Sequence, residues 1–240
     1  MLALYHFGPV ANSLTPLLCL IEKGLQFDDR FLSSRRWEHH TPEFQAINPQ
    51  GTVPVLVHDD HVVTESTVIN EYLEDVFPAV SLRPSEPWLR AQMRIWTKYV
   101  DEYFCPALTV LGAHGATPFA SKIDKGEMGR ILARMPDPQV RKKWETVSNT
   151  GYNEEQLEEA RDKLQRVIEK MEAQLAANGD WIAGPSYSLA DIKLYSMTPG
   201  VERLLPEICN ETASPNVHGW LRRIEARPAV VTMRAREYQR

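Results

Sequence analysis

The residues best suited to chemistry near the start of the chain are Asn12 and Ser13, which follow a Gly-Pro loop and precede an apolar segment. Both types are preferred at helix N-caps, where a side-chain oxygen accepts a hydrogen bond from a first-turn amide. We therefore expect them to cap a helix over 13–23, with Pro16 in its first turn and Gly24 just beyond its end. A hydroxyl at the positive end of a helix also suits an anion, so a binding role for Ser13 stays open.

A second motif, NPQGTVPVL at 48–56, ends with Val53 and Pro54 at the start of an apolar run. A cis peptide bond at this point would leave the N–H and C=O of Val53 free to pair with an extended ligand. An ordinary proline at the beginning of a strand explains the pattern equally well.

Two further motifs mark helix starts. Glu65 and Ser66 stand at a strand-to-helix junction, where the carboxylate suits an ammonium and the serine, with the helix amides, suits a carboxylate. A capped helix is the alternative. Ser188 and Asp191 have the spacing of a capping box, which we interpret as structural.

The bulk composition excludes several classes of protein. The 240 residues are 43% hydrophobic and carry a net charge of −5, which argues against general nucleic-acid binding. No apolar run has the length of a membrane span, and the first residues lack the pattern of a secretory signal. The three cysteines are odd in number and far apart, so we expect reduced thiols and a cytoplasmic location.

No metal site is expected. The cysteines lack metal-ligand spacing, and His39-His40 has no third ligand at a useful distance in the sequence.

The first 78 residues alternate between strand and helix patterns, which predicts a mixed α/β domain. The predicted elements are strands at 2–7 and 27–32 around the helix at 13–23, a hairpin over 53–66 that turns at Asp59-Asp60, and a helix at 66–77.

A proline-rich linker over 79–87 separates this domain from an all-helical one at 88–240. The helical patterns lie at 89–104, 154–178, 188–199 and 215–227. Residues 112–153 have no clear period and carry seven basic residues. They are either a solvated insertion with one or two irregular helices or a partial lid over a site for an acidic or aromatic ligand.

Taken in order, these features resemble the glutathione transferases, and the resemblance covers nearly the whole chain. It implies a thioredoxin-like N-terminal domain that binds glutathione, a helical domain that supplies most of a pocket for a hydrophobic aromatic second substrate, and a homodimer. It implies neither a metal nor a nicotinamide cofactor, since glutathione enters as a co-substrate.

A narrower resemblance is to the bacterial β-etherases of the F type, which cleave lignin-derived β-aryl ethers. It is carried by FGPVANSLTPL, INPQGTVPVL, VVTESTVINEYLEDVFP and MRIWTKYVDEYF, within the first 105 residues, and it weakens across 112–153 and in the C-terminal third. The alternatives are a general conjugating or dehalogenating transferase, and a non-catalytic protein of the same fold that acts as a binding or scaffold protein.

The resemblance also implies roles at the reacting sulfur. Ser13 corresponds to the serine that hydrogen-bonds the glutathione sulfur, with Asn12 beside it as the other candidate donor. The backbone of Val53, before Pro54, is expected to pair with the cysteinyl part of glutathione.

The two ends of glutathione are assigned in the same way. Glu65 and Ser66 are expected to hold the γ-glutamyl end. His40 stands where a basic side chain meets the glycyl carboxylate, although it is equally explained as a surface histidine. Asp101 is either a contact to the neighbouring subunit's glutathione or part of a solvated helix face.

Two departures from the β-etherase pattern matter. Gln50 stands where those proteins tend to carry arginine, which weakens the expected anchoring of an anion. The residue before Ser13 is asparagine rather than cysteine, and Cys19 lies inside the helix, which argues against thiol-disulfide chemistry.

Overall fold

The computed structural model describes residues 1–238, and its strands form one small mixed sheet. The strands are β1 (Leu2–His6), β2 (Asp28–Phe31), β3 (Val55–His58) and β4 (His61–Thr64), in the order β2-β1-β3-β4. β1 is parallel to β2 and antiparallel to β3, and β3 and β4 form the predicted hairpin. The turn falls at the predicted Asp59-Asp60, where Asp59 adopts a left-handed φ of 52°.

Two helices pack together beside this sheet. α1 (Ala11–Glu22) connects β1 to β2, a short α2 (Pro42–Gln45) precedes β3, and α3 (Ser66–Val76) follows β4. Leu4 and Leu56 of the sheet and Leu17 and Ile69 of the helices are fully buried in one core. The order of strands and helices matches the mixed α/β prediction for this part of the chain.

The predicted cap of α1 is wrong. The helix begins at Ala11, and Val10 at the N-cap offers no side-chain acceptor, so Asn12 and Ser13 lie inside the first turn. Pro16 is consequently the sixth helical residue and not part of the first turn. The end of the helix is as predicted: Lys23 is the C-cap and Gly24 follows it with a φ of +65°.

The helical region begins two residues before its first predicted helix. α4 (Pro87–Tyr99) continues through a π-helical segment (Val100–Phe104) into α5 (Cys105–His114), so the helix predicted at 89–104 is longer than expected. Residues 112–153 contain three more helices, α6 (Thr117–Ala120), α7 (Lys125–Ala133) and α8 (Pro138–Asn149).

The remaining helices form the C-terminal part of the chain. They are α9 (Glu154–Asn178), α10 (Leu189–Tyr195), α11 (Thr198–Leu204), α12 (Pro215–Glu225) and α13 (Pro228–Arg234). α9 has the predicted bounds, and the Ser188–Asp191 capping box is confirmed at the start of α10. The single helix predicted over 188–199 is wrong: α10 ends at Tyr195, and a separate α11 begins at Thr198 with Pro199 in its first turn.

The strands lie in the first part of the sequence, and only helices occur after residue 86 in the described chain. All four strands precede residue 65, and residues 77–86 contain neither helix nor strand. None of the helices within residues 1–238 combines the length and apolarity needed to cross a membrane. The division into domains at 78 and 88 stays a prediction.

Candidate functional site

Ser13 has an unpaired donor at an uncapped helix end. Its side chain is buried, and its Oγ accepts a hydrogen bond from the backbone N–H of Phe7 at 3.1 Å. Its hydroxyl hydrogen has no acceptor among residues 1–238, and no side chain caps the first turn of α1. The site therefore combines an available O–H with unpaired amides, an arrangement that favours an anion.

Asn12 is held by a residue that the sequence reasoning missed. Lys193 of α10 donates from its Nζ to Oδ1 of Asn12 at 2.9 Å and to Oγ of Ser66 at 2.7 Å. The lysine is only 1% exposed, so its charge lies inside the protein. One ammonium thus connects the first turn of α1 to the first residue of α3.

The counterion of Lys193 is Asp101, on the π-helical segment. Nζ lies 2.7 Å from Oδ1 of Asp101, whose Oδ2 accepts a hydrogen bond from Oγ1 of Thr67 at 2.7 Å. Asp101 is therefore engaged within its own chain, with 40% of its side chain exposed, and a contact to the neighbouring subunit's glutathione stays a prediction. We call Lys193, Asp101, Asn12, Ser66 and Thr67 the Lys193 cluster.

Glu65 precedes this cluster in an unusual conformation. Its φ of 65° and ψ of 115° are rare for a residue with a side chain, and such conformations concentrate at functional sites. It occupies the N-cap of α3 without capping it, so the alternative of a side-chain cap is wrong. Its carboxylate is exposed and has no hydrogen-bond or ion-pair partner in the described chain, which leaves it free for a cation.

The peptide bond between Val53 and Pro54 is cis, so of the two interpretations of this motif the ordinary proline at a strand start is wrong. Neither the N–H nor the C=O of Val53 has a hydrogen-bond partner within residues 1–238, because the residue lies outside the β3 ladder. Both groups are therefore available to a ligand in extended conformation.

His40 lies in a cavity beside this peptide. The histidine cavity, as we call it, has a volume of about 450 Å³ and is lined by residues of both parts of the chain, including Phe7, Trp37, His39, His40, Val53, Phe119, Lys143 and Trp144. His40 is only 1% exposed, so the alternative of a surface histidine is wrong.

Several polar atoms of the histidine cavity have no partner among the described residues. They are both ring nitrogens of His40, Nδ1 of His39 and Nε1 of Trp37. Burial, more than the nearby cations, lowers the pKa of His39 to about 3 and the pKa of His40 to about 4, so both imidazoles are neutral at pH 7. Unpaired buried donors and acceptors around a cavity favour a polar ligand.

Gly51 makes this packing possible. Its φ is +63°, and a Cβ at this position would come within 2.6 Å of Nδ1 of His40. The glycine of the NPQGTVPVL motif is therefore required both by its backbone conformation and by the close approach of the imidazole.

A larger cavity shares Lys143 and Trp144 of α8 with the histidine cavity. The helical cavity has a volume of about 760 Å³ and is lined mainly by α1, α5, α10 to α11 and α13, with Leu14, Leu108 and Met197 among its apolar side chains. Cys105 also lines it, and Nδ2 of Asn12 lies 3.7 Å from the Cys105 sulfur. The cavity suits an apolar or aromatic molecule close to the first turn of α1.

Residues 112–153 contribute part of the lining of both cavities. Lys143 and Trp144 of α8 line each of them, and the Trp144 ring packs edge-on against Trp37 with centroids 4.6 Å apart. Of the two interpretations of this segment, the partial lid agrees with its position.

The predicted site residues thus fall into two groups. His40 and Val53 line the histidine cavity, whereas Asn12 and Ser66 meet at Lys193. Ser13 is linked to the first group through the hydrogen bond from Phe7, whose ring contacts that of His39. No group of three metal-ligating side chains occurs in residues 1–238.

The chain matches two family models. Residues 11–76 match the model described as glutathione S-transferase, N-terminal domain, and residues 134–228 match the model described as glutathione S-transferase, C-terminal domain.

Two proteins are similar to this chain over almost its full length. Protein LigF of Sphingobium sp. strain SYK-6 is 44% identical over 97% of this chain and 92% of its own length. Glutathione S-transferase 3 of Zea mays is 27% identical over 95% of this chain and 90% of its own length.

Two solved structures also match almost the full chain. The crystal structure of beta-etherase LigF from Sphingobium sp. strain SYK-6 has a TM-score of 0.93 and 42% identity, covering 97% of this chain and 98% of that one. Glutathione transferase F7 from Populus trichocarpa, with a TM-score of 0.72 and 24% identity over 98% of both chains, shares the fold.

Proposed function

Because this chain belongs to the glutathione S-transferase family, we propose that it is a β-etherase that uses the thiol of glutathione to cleave β-aryl ethers. The observation that carries this proposal is the similarity to the Sphingobium β-etherase, at 42% identity and a TM-score of 0.93 over nearly the whole chain. Fold similarity alone does not assign an activity, so the geometry of the site has to support it.

The site offers a matching group for each part of glutathione. We expect the sulfur to bind at Ser13 and the uncapped first turn of α1, and the cysteinyl backbone to pair with the free N–H and C=O of Val53 beside Pro54. Hydrogen bonding and helix amides lower the pKa of a bound thiol, which raises the fraction of reactive thiolate.

The ends of glutathione meet charged or unpaired groups. The exposed carboxylate of Glu65 suits the γ-glutamyl ammonium, while the α3 amides at Ser66 and the nearby Lys193 suit the γ-glutamyl carboxylate. The unpaired imidazole of His40 is a donor for the glycyl end.

The second substrate is placed in the helical cavity. Its apolar walls suit aromatic rings, and it lies next to the first turn of α1, where the thiolate is generated. The thiolate then attacks the β-carbon of an α-keto aryl ether. The new S–C bond forms as the C–O bond breaks, with its electron pair leaving on the phenolate, and this in-line displacement inverts the carbon.

The direct test is phenol release from each enantiomer of an α-keto β-aryl ether, measured with glutathione, with S-methylglutathione and without either. We expect release only with glutathione and strong preference for one enantiomer. S-Methylglutathione controls for binding without a thiol. Conjugation of a chloro-aromatic, with no phenol release, would replace the proposal by a general transferase. No glutathione binding at millimolar concentration would favour a scaffold protein.

We also expect a homodimer. Val68 of α3 and Trp88 and Ile95 of α4 each expose more than half of their surface, and α3 and α4 are joined by the Glu71–Arg94 ion pair. Trp88 and Ile95 are seven residues apart and so share one face of α4. Burial of this apolar face in a twofold interface is the expected arrangement. Sedimentation at micromolar concentration should give twice the 27.4 kDa of the chain, and a single species at 27.4 kDa would contradict it.

We also expect a cytoplasmic location, and the cysteines support it. Cys19, Cys105 and Cys209 are all unpaired, and burial raises the pKa of Cys209 to about 11. Thiols kept reduced suit the cytoplasm, where glutathione itself is held in its thiol form.

A further inference from the structure

Lys143 lies where the two cavities share a wall. It lines both the histidine cavity and the helical cavity, as do Trp144, Ser34 and Ala116. If glutathione reaches from the histidine cavity to the first turn of α1, and the aryl ether occupies the helical cavity, the two ligands meet beside this wall. A role for Lys143 at this wall rests on that proposed function.

The ammonium of Lys143 lacks a counterion. It forms no hydrogen bond or ion pair with any residue of 1–238, although its side chain is partly buried against the Trp144 ring, 5.6 Å from Nζ. Burial lowers the pKa of Lys143, and the smaller opposite effects of Cys105 and Asp137 do not offset it. An unpaired and partly desolvated cation interacts strongly with an anion that forms beside it.

The other cations of the helical cavity are less suitable. Arg234 is paired with Glu225 at 2.5 Å, and Arg236 is paired with Asp29. Arg203 lines the helical cavity only and is not among the residues that both cavities share. Lys143 is therefore the cation placed to meet charge that develops between the two ligands.

We propose that Lys143 is a catalytic residue that stabilises the departing phenolate. As the thiolate sulfur bonds to the β-carbon, the negative charge passes to the phenolic oxygen, and the Lys143 ammonium donates a hydrogen bond and then a proton to it. The products are a glutathione thioether and a neutral phenol, and Lys143 recovers its proton from solvent. Proton donation by Lys143 accelerates the reaction most when the departing phenolate is strongly basic.

The test varies the leaving group at a constant reaction centre. We measure kcat/KM for α-keto β-aryl ethers that release phenols of graded acidity, from nitrophenol to methoxyphenol, with the wild type and with Lys143→Met. We expect a loss of roughly 100-fold for methoxyphenol and less than about threefold for nitrophenol, the size of a general-acid contribution. The KM for glutathione should not change.

Two further variants and a second substrate serve as controls for the effect of Lys143→Met on phenol release. Lys142→Met removes an exposed lysine beside it in α8 and should leave the dependence on phenol acidity unchanged. Lys143→Arg keeps the charge but does not release a proton at neutral pH, so it should recover part of the rate. Conjugation of a chloro-aromatic needs no acid for chloride and should survive Lys143→Met.

The outcomes separate this role from the proposed function. A loss in Lys143→Met that is equal for all phenols, or a raised KM for glutathione with every electrophile, overturns the role and makes Lys143 a binding residue. A wild-type enzyme that releases no phenol overturns the proposed function and this role with it.

Discussion

Ser13→Ala is expected to lower turnover at neutral pH while leaving glutathione bound. A free thiol titrates near 8.5, and the Ser13 hydroxyl together with the amides of α1 should lower that value for bound glutathione. We expect removal of the hydroxyl to raise the thiol pKa by about 2 units, which is equivalent to ~2.7 kcal/mol. Such a rise reduces the thiolate fraction at neutral pH by roughly 25-fold. The proposed contacts of Val53, Glu65 and Ser66 with the peptide remain in this variant, so we expect the Kd for glutathione to change little.

The thiolate absorbance of bound glutathione, titrated against pH, measures this pKa directly. Because the reaction needs the thiolate, the rate rises with pH through the thiol pKa. In Ser13→Ala the rising limb should move to higher pH, and the two enzymes should converge in alkaline solution.

Thr15→Val is the matched control for this substitution. Thr15 carries another buried hydroxyl of α1, and its Oγ1 has no hydrogen-bond partner in the described chain. Both variants remove a hydroxyl, but Ser13→Ala also leaves the Phe7 N–H unpaired, at about 1–3 kcal/mol of stability. Only Ser13→Ala should move the thiol pKa.

An unchanged thiol pKa in Ser13→Ala would transfer the donor role to Asn12. Its Oδ1 is occupied by Lys193, but its Nδ2 makes only the long contact to Cys105. The double variant of residues 12 and 13 should then abolish the pKa shift. A lowered melting temperature with no change in thiol pKa would mean that Ser13 only supports the loop through Phe7.

The features that the sequence predicted correctly are local ones. The turn at Asp59-Asp60, Gly24 after α1 and the box of Ser188 and Asp191 each depend on residues within a few positions of one another. Local backbone preferences and hydrogen bonds decide such features, so a short window of sequence contains the relevant information.

Of the features that it missed, one is local and one depends on distant segments. The cap expected of Asn12 and Ser13 is absent because α1 already begins at Ala11, and the Ser13 hydroxyl accepts from the Phe7 N–H, while the other interpretation of Ser13, as donor to the glutathione sulfur, stays a prediction. Lys193 is separated by 181 residues from Asn12 and by 127 from Ser66. A lysine in a short helix gives no signal of burial until its partners are known.

The second large effect is expected from Lys193→Met, which removes the charge at the centre of the Lys193 cluster. Asn12 and Ser66 would lose their donor, and Asp101 would lose its counterion. Breaking a fully buried ion pair destabilises by about 3–5 kcal/mol. The Asp101 side chain is 40% exposed and can be hydrated, so we expect a smaller loss of about 2 kcal/mol in the free energy of unfolding.

Glutathione binding should weaken in the same variant, because Lys193 fixes residues at two of the proposed contact points. Without it, the Asn12 amide and the Ser66 hydroxyl are free to reorient, and the positive charge beside the γ-glutamyl carboxylate is lost. We expect the KM for glutathione to rise about 10-fold, equivalent to ~1.4 kcal/mol, with a smaller change in kcat.

Asp101→Asn separates the two contributions of the cluster. It removes the counterion but leaves the hydrogen bonds from Lys193 to Asn12 and Ser66 in place. A double-variant cycle of residues 101 and 193, measured by denaturant unfolding and by glutathione KM, gives the coupling for each property. Coupling in stability with an unchanged KM in Lys193→Met would show that the cluster only joins α1, α3 and α10. A raised KM in Lys193→Met but not in Asp101→Asn would show that the two hydrogen bonds of the ammonium hold the glutathione contacts in place.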